Sequence, residues 1–188
     1  MADQLLRTHP LEAWTAAFSA LPDDLRITAE PFVATADVRV GPHVPTVRST
    51  PLPRTPNTWT PTADGRLVWL GPDEWLLTST GTPPEVLETE LRAELRPAGG
   101  TAVDVSAQRV ALRIGGARAR DVLVTGCSVD LHPRAFPPGS SAQTTIGLAG
   151  VVLLALGGDE FAVLVRSSFA GHLATWLLDA ALEYTALG

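Results

Sequence analysis

Displaced by 86 residues, the chain matches itself, and this self-similarity is the strongest constraint on its fold. Leu67-Val-Trp-Leu-Gly-Pro-Asp-Glu-Trp-Leu-Leu-Thr-Ser79 falls over Leu153-Leu-Ala-Leu-Gly-Gly-Asp-Glu-Phe-Ala-Val-Leu-Val165. Leu67/Leu153, Leu70/Leu156, Gly71/Gly157, Asp73/Asp159 and Glu74/Glu160 are identical, and Trp75/Phe161 is aromatic in both. Without a gap the register runs into the next segment, where Leu87/Leu173, Thr89/Thr175 and Leu91/Leu177 coincide. A slightly different offset sets Asp37-Val-Arg-Val-Gly41 against Ala111-Leu-Arg-Ile-Gly115. The simplest reading is a duplicated strand–helix–hairpin–helix unit, with halves at about 30–106 and 107–185 of a single domain spanning 1–188. The competing reading is two β-hairpins that share turn chemistry, since Gly-x-Asp-Glu is a common tight-turn string.

The remaining segments follow from periodicity and punctuation. Leu11, Trp14, Phe18 and Leu21 mark a short amphipathic helix over 10–21, with Pro10 at its first position. Alternation predicts a strand over 32–40. The prolines at 42, 45, 51, 53, 56 and 61 then make 41–61 a long surface loop, because proline lacks a donor and restricts its neighbours. A hairpin is expected at 67–78, a helix over 83–96, and strands at 101–105 and 109–114 flanking a kink. A helix follows over 116–125, a Pro-rich loop over 131–141, and strands over 142–147, 151–156 and 161–166. The final helix is expected from 168 to 184. The helix at 116–125 has no counterpart in the first half, so that half's sheet needs a cover from the N-terminal helix or a partner chain.

Composition narrows the function. The chain carries net charge −6, and its 18% charged residues leave a sparse polar surface beside the roughly 25% of an average domain. Every one of the 14 basic residues is Arg, so no Schiff-base lysine and no P-loop lysine can come from this chain. The acidic balance, with no basic run, disfavours nucleic acid. Met1 to Pro10 carries no apolar signal core, and the apolar run Val151 to Leu156 is far short of the roughly 20 residues that cross a bilayer. A lone cysteine excludes an internal disulfide framework. A cytoplasmic protein is expected.

Catalytic patterns are missing. His9, His43, His132 and His172 stand at no metal-ligand spacing, and the close pair Asp130 and His132 is expected to bond to nearby backbone. There is no G-x-S-x-G elbow and no glycine-rich nucleotide fingerprint. Cys127 follows a predicted helix C-terminus, whose dipole disfavours a thiolate, so it reads as a small buried residue. Two strand-end arginines remain, Arg109 and Arg166. Each either holds a carboxylate of a ligand or partner, or makes an ordinary strand-end salt bridge.

Several strings carry a family resemblance. Leu70-Gly-Pro-Asp-Glu-Trp-Leu-Leu77, Val103-Asp-Val-Ser106 and Gly126-Cys-Ser-Val-Asp-Leu-His-Pro-Arg-Ala-Phe-Pro-Pro-Gly139 together resemble the gamma subunit of heterotetrameric sarcosine oxidase. Leu52-Pro-Arg-Thr-Pro-Asn57, Val165-Arg-Ser-Ser-Phe169 and the early Pro31-Phe-Val-Ala segment fit as well, so the similarity runs from about residue 10 to 182. The residues that carry it are Gly71, Asp73, Glu74, Trp75, Asp104, Ser106, Cys127, Asp130, Phe136, Gly139 and Phe169. The resemblance implies an α+β fold of pseudo-duplicated units with antiparallel sheets, similar to the folate-binding domain of aminomethyltransferases such as the glycine-cleavage T-protein. It implies a complex that demethylates sarcosine to glycine, releases hydrogen peroxide and passes the one-carbon unit to tetrahydrofolate. FAD, FMN and NAD would sit on the larger alpha and beta subunits, a delta subunit would complete the tetramer, and the gamma chain would bind no cofactor alone.

Departures from the pattern bear on chemistry. Where aminomethyltransferases typically read G-V-x-D-D-L, this chain has Gly150-Val-Val-Leu-Leu-Ala155, and neither Leu153 nor Leu154 can move a proton or stabilise a cationic iminium. Gly139-Ser140-Ser141 stands where relatives often show Gly-Ser-Cys, and the Pro-rich stretch is shorter than the family's helix-containing equivalent. The expectation is a non-catalytic subunit that stabilises the assembly. The alternatives are a free-standing folate-binding protein of the same fold and a scaffold outside one-carbon metabolism.

Overall fold

A computed structural model describes residues 8–185; the N-terminal string read for signals lies outside the described residues up to residue 7. A 3₁₀ turn at Glu12–Trp14 leads into α1 (Thr15–Ser19), then β1 (Arg26–Ala29), β2 (Ala34–Arg39), β3 (Thr46–Val47), β4 (Thr50–Pro51), β5 (Trp59–Pro61), β6 (Gly65–Gly71) and β7 (Glu74–Ser79). Next come α2 (Pro84–Leu95), β8 (Thr101–Asp104), β9 (Arg109–Gly115), α3 (Ala119–Val124), β10 (Ser141–Ile146), β11 (Ala149–Gly157), β12 (Glu160–Arg166) and α4 (Ala170–Thr185). The architecture is the α+β arrangement expected. One sheet has the order β5-β6-β7-β2-β8 and the other β1-β9-β12-β11-β10, antiparallel throughout.

Strand alternation sorts side chains into three cores. On β11 and β12, Val151, Leu153, Phe161 and Val163 face α3, α4 and the N-terminal helix, alongside Leu11, Phe18 and Leu173. The intervening Val152, Leu154, Ala162 and Leu164 face the other way and meet Val68 and Leu76 of the first sheet. Leu67, Trp75 and Leu77 of that sheet turn outward to Leu87, Leu91 and Leu95 of α2. The sheets thus lie face to face with helices on both outer sides. Burying each large apolar side chain contributes about 1.5–3 kcal/mol.

The two hairpins share their geometry. In each, the register slips one residue before the turn, between Trp69 and Gly71 and between Ala155 and Gly157, and glycine then faces glutamate, Gly71 to Glu74 and Gly157 to Glu160. The turns themselves differ. Gly158 and Asp159 both take positive φ, at 60° and 57°, as a two-residue turn with left-handed central residues requires. Pro72 holds φ negative at the matching position.

Two expectations are corrected. The segment 41–61 is more than a surface loop: β3 pairs with β4, β5 edges the first sheet, and Val47 and Leu52 are buried beneath α2. This segment and α2 supply the cover expected of the N-terminal helix or a partner, while the N-terminal helix, reduced to α1 and its 3₁₀ turn, packs on the other sheet. The strands flanking the expected kink, β8 and β9, lie in different sheets. β8 pairs with β2 and the unforeseen β1 pairs with β9, so when the boundary between the units is drawn after α2, and not at about residue 106, each unit lends one strand to the other's sheet. The edges β5 and β10 are also stitched together, through a Thr58–Ser140 bridge and a Trp59 indole N–H that donates to the Ala155 carbonyl at 3.0 Å.

Candidate functional site

The strand exchange sends two connections across the gap between the sheets, from β1 to β2 and from β8 to β9. Between these crossings lies a cavity of about 230 Å³. Its walls come from both sheets: Thr35, Arg66 and Thr78 from one, Arg109, Ala111 and Leu164 from the other.

The crossings are held by short polar ties. Asp104 and Ser106 form a compact turn, in which the Asp104 carboxylate accepts from the Ser106 backbone N–H at 2.9 Å and from its hydroxyl at 2.5 Å. The Ser106 oxygen in turn accepts from the Thr35 N–H at 2.8 Å, which pins the β8–β9 crossing to β2. Ser167 donates its hydroxyl to the Ala107 carbonyl at 2.7 Å. On the opposite wall the Arg66 guanidinium grips Glu30 with two parallel hydrogen bonds, 2.9 and 3.0 Å, with both side chains 17% exposed.

Arg109 and Arg166 come together here. The β9–β12 register sets them directly opposite each other. Like charges in that relation repel. Neither makes a salt bridge among the described residues, and the Arg109 Nε is buried with no hydrogen-bond partner. Burial and the neighbouring Arg166 charge lower the Arg109 pKa, while the Asp37 and Glu74 carboxylates act less strongly in the opposite sense. Among the described residues, then, neither makes the ordinary strand-end salt bridge. Arg109 forms a wall of the cavity and also, with Arg166, of a shallow groove that runs past Gln143 and Thr144 on β10.

The other residues singled out in the sequence do not join this cluster. Gly71, Asp73 and Glu74 form the β6–β7 turn, where Arg39 meets Glu74 at 2.7 Å and Asp73 at 3.8 Å. Burial, with Asp37 beside it, raises the Glu74 pKa against the pull of Arg39. Trp75, Cys127 and Phe136 are core residues. Asp130 accepts from the His132 N–H at 2.9 Å, a local backbone bond as expected. Gly139 takes φ of 89° and its carbonyl accepts from the Trp59 N–H at 2.9 Å. Phe169 is 43% exposed and meets His172 edge-on. The sequence reading missed Glu30 and Arg66. Their signal was a charged residue in the inward phase of a strand: Arg66 alternates with the buried Leu67 and stands on the side of Val68 and Leu76.

Among the described residues no group of acidic, histidine or cysteine side chains could hold a metal ion, and no helix is long and apolar enough to cross a membrane. The cavity is smaller than the roughly 300–1,000 Å³ of sites that enclose drug-sized ligands, and Leu153 and Leu154 are fully buried in two different cores. This cavity alone is too small to enclose a tetrahydrofolate, and Leu153 and Leu154 offer it no carboxylate.

Comparison with known proteins extends the reading over the whole chain. The model of the sarcosine oxidase gamma subunit family matches residues 47–183. The sarcosine oxidase gamma subunit of Corynebacterium sp. strain U-96 is 38% identical over 120 residues, covering 64% of this chain and 58% of that one. Its counterpart in Arthrobacter sp. is 39% identical over 123 residues, covering 65% and 60%. The aligned part thus spans a little more than half the length of these relatives. A chain of the heterotetrameric sarcosine oxidase from Corynebacterium sp. U-96, solved in complex with pyrrole 2-carboxylate, superposes with a TM-score of 0.86 at 28% identity, covering 97% of this chain and 98% of that one. An aminomethyltransferase T of the glycine cleavage system from Bartonella henselae shares the fold, with a TM-score of 0.56 at 14% identity over 87% of this chain and 48% of that one. The chain belongs to the sarcosine oxidase gamma subunit family.

Proposed function

We propose that the chain is the non-catalytic gamma subunit of a heterotetrameric sarcosine oxidase, where it stabilises an assembly with alpha, beta and delta subunits in the cytoplasm. The observation that carries this reading is the near-complete mutual coverage, 97% and 98%, with a chain of such a heterotetramer. The complex would demethylate sarcosine to glycine, release hydrogen peroxide and pass the one-carbon unit to tetrahydrofolate. Its FAD, FMN, NAD and folate would be held by the other subunits. Support for a non-catalytic role comes from Leu153 and Leu154, which fill cores where an aminomethyltransferase-like carboxylate pair would be needed. The chain is read as one domain of two duplicated units, expected at about 30–106 and 107–185; a boundary after α2 instead makes β1 and β8 the strands the units exchange.

Co-expression of this chain, affinity-tagged, with the other subunits tests the proposal. Co-purification of flavin-bearing chains with sarcosine-dependent peroxide release is the expected result. A complex that assembles and turns over equally well without this chain would refute the stabilising role. Calorimetry with tetrahydrofolate against the isolated chain separates the folate-binding alternative, which requires saturable binding.

A further inference from the structure

We infer that the cavity between the sheets is a binding site for a small carboxylic acid with a compact apolar body, its carboxylate held by Arg109. Three observations converge. The Arg109 Nε is buried with no partner among the described residues, although the side chain as a whole is only partly buried, and a buried N–H left without an acceptor is costly enough that structures seldom retain one. Arg166 stands directly across from it in register, also without a salt bridge among the described residues. An anion at this point resolves both the missing acceptor and the repulsion between the two guanidinium groups. The cavity that Arg109 lines is then the space for the rest of the ligand.

The other walls define the ligand further. Arg66 is fully engaged by Glu30, and Ser106 and Ser167 spend their hydroxyls on the crossings, so among these cavity-lining cations and hydroxyls Arg109 alone has a donor to spare. Val110, Ala111 and Leu164 present apolar surface beside it. One charged head and an apolar remainder match this lining, and a volume of about 230 Å³ sets the size below that of drug-sized ligands. Asp37 and Glu74 influence Arg109 through space, yet neither bonds to its Nε. This inference does not depend on the subunit assignment.

Calorimetric titration of the full chain with 3-methylbutanoate, and with 3-methylbutanamide as the uncharged match, tests it. Saturable binding of the acid and none of the amide is expected. Arg109→Met should weaken the acid by at least about tenfold, as for loss of a charge-assisted pair, while Arg166→Gln, in the groove on the other side of Arg109, weakens it by about two- to threefold through its charge. Arg109→Lys keeps the charge without the planar fork and should fall between wild type and Arg109→Met. Circular dichroism melts of each variant establish that they fold. Acid binding that survives Arg109→Met in a folded protein, or equal binding of the amide, overturns the site. So does absence of acid binding to the wild-type chain, and loss of subunit assembly in the same variant would then assign the guanidinium's acceptor to a partner side chain.

Discussion

Replacing Trp75 with phenylalanine separates what holds the Pro-rich segment in place. Trp75 is fully buried, and its indole N–H donates to the Pro53 carbonyl at 2.9 Å. Arg54 of the same segment lies over the ring at 5.4 Å from its centroid and donates to the Val44 carbonyl. The second half has the counterpart: Arg120 lies over Phe161 at 5.2 Å and donates to the Leu131 carbonyl. Each half therefore caps its aromatic with an arginine that is itself tied to a loop carbonyl. The Trp75→Phe chain keeps the capping arginine and removes only the indole nitrogen and the second ring.

The loss has two parts. Leaving the Pro53 carbonyl without its donor in a buried place costs about 1–3 kcal/mol. The missing part of the indole opens about 40 Å³, worth about 1 kcal/mol at about 24 cal/mol per Å³ when the site does not relax. The cation–π contact, about 0.5–1 kcal/mol, is largely kept. Destabilisation of about 2–4 kcal/mol follows, and with a urea slope of about 2 kcal/mol per molar the unfolding midpoint falls by about 1–2 M. Urea titration followed by circular dichroism reads it directly. Limited proteolysis should show earlier cleavage within 41–61. A midpoint shift below about 0.25 M, equivalent to about 0.5 kcal/mol, would refute the claim that this anchor holds the segment.

Other perturbations probe the space between the sheets and its edges. Glu30→Gln leaves the half-buried Arg66 without its carboxylate and should cost about 2–4 kcal/mol in the same urea titration. Gly116→Ala places a Cβ 2.3 Å from the Asp24 carbonyl at φ of 107°, so a loss of about 3 kcal/mol or more is expected as a lowered melting temperature or insoluble expression. Glu160 accepts from Arg26 at 2.5 Å and Arg113 at 2.8 Å. Burial pushes its pKa up, but these two hydrogen bonds prevail and hold it below the ordinary 4.5. A depressed carboxylate pKa stabilises the fold above the unfolded value and loses that contribution as pH falls through the folded one. The stability difference between wild type and Glu160→Gln should therefore be largest near neutral pH and shrink below about pH 4.5; a difference independent of pH would contradict it.

Much of the fold was legible because its signals are local. The hairpins at β6–β7 and β11–β12 announce themselves by alternation around Gly-x-Asp-Glu, and α2 by Leu87, Leu91 and Leu95 at helical spacing. Strand β1 escaped because Arg26–Ala29 places only one wholly buried residue, Ile27, in four positions. The Pro-rich segment was misjudged because proline is compatible with short edge strands and with burial: β4 and β5 each end on a proline, and Val47 and Leu52 go inward. Partner choice was beyond reach: nothing local in Thr101–Asp104 says that it pairs with β2 rather than β9. The site divides the same way. Arg109 and Arg166 were each visible as strand-end cations, but their position opposite each other is a matter of register, and register is set by the packing of both faces.

The strand exchange connects these observations. A β-hairpin with one helix over it leaves its other face bare, and two such units solve that by packing bare face to bare face. Each half then places an outer strand on its neighbour, so the connections must cross the seam, and the seam cannot close fully around them. Arg109 begins β9 at the end of one crossing, and Arg66 grips Glu30 at the start of the other. Charged groups accumulate where the two sheets are held apart, while Val68, Leu76, Leu154 and Leu164 fill the region where they meet. The cavity and its unmatched guanidinium are thus consequences of how the two halves are joined, and a substitution that closed the seam would remove the site along with the gap.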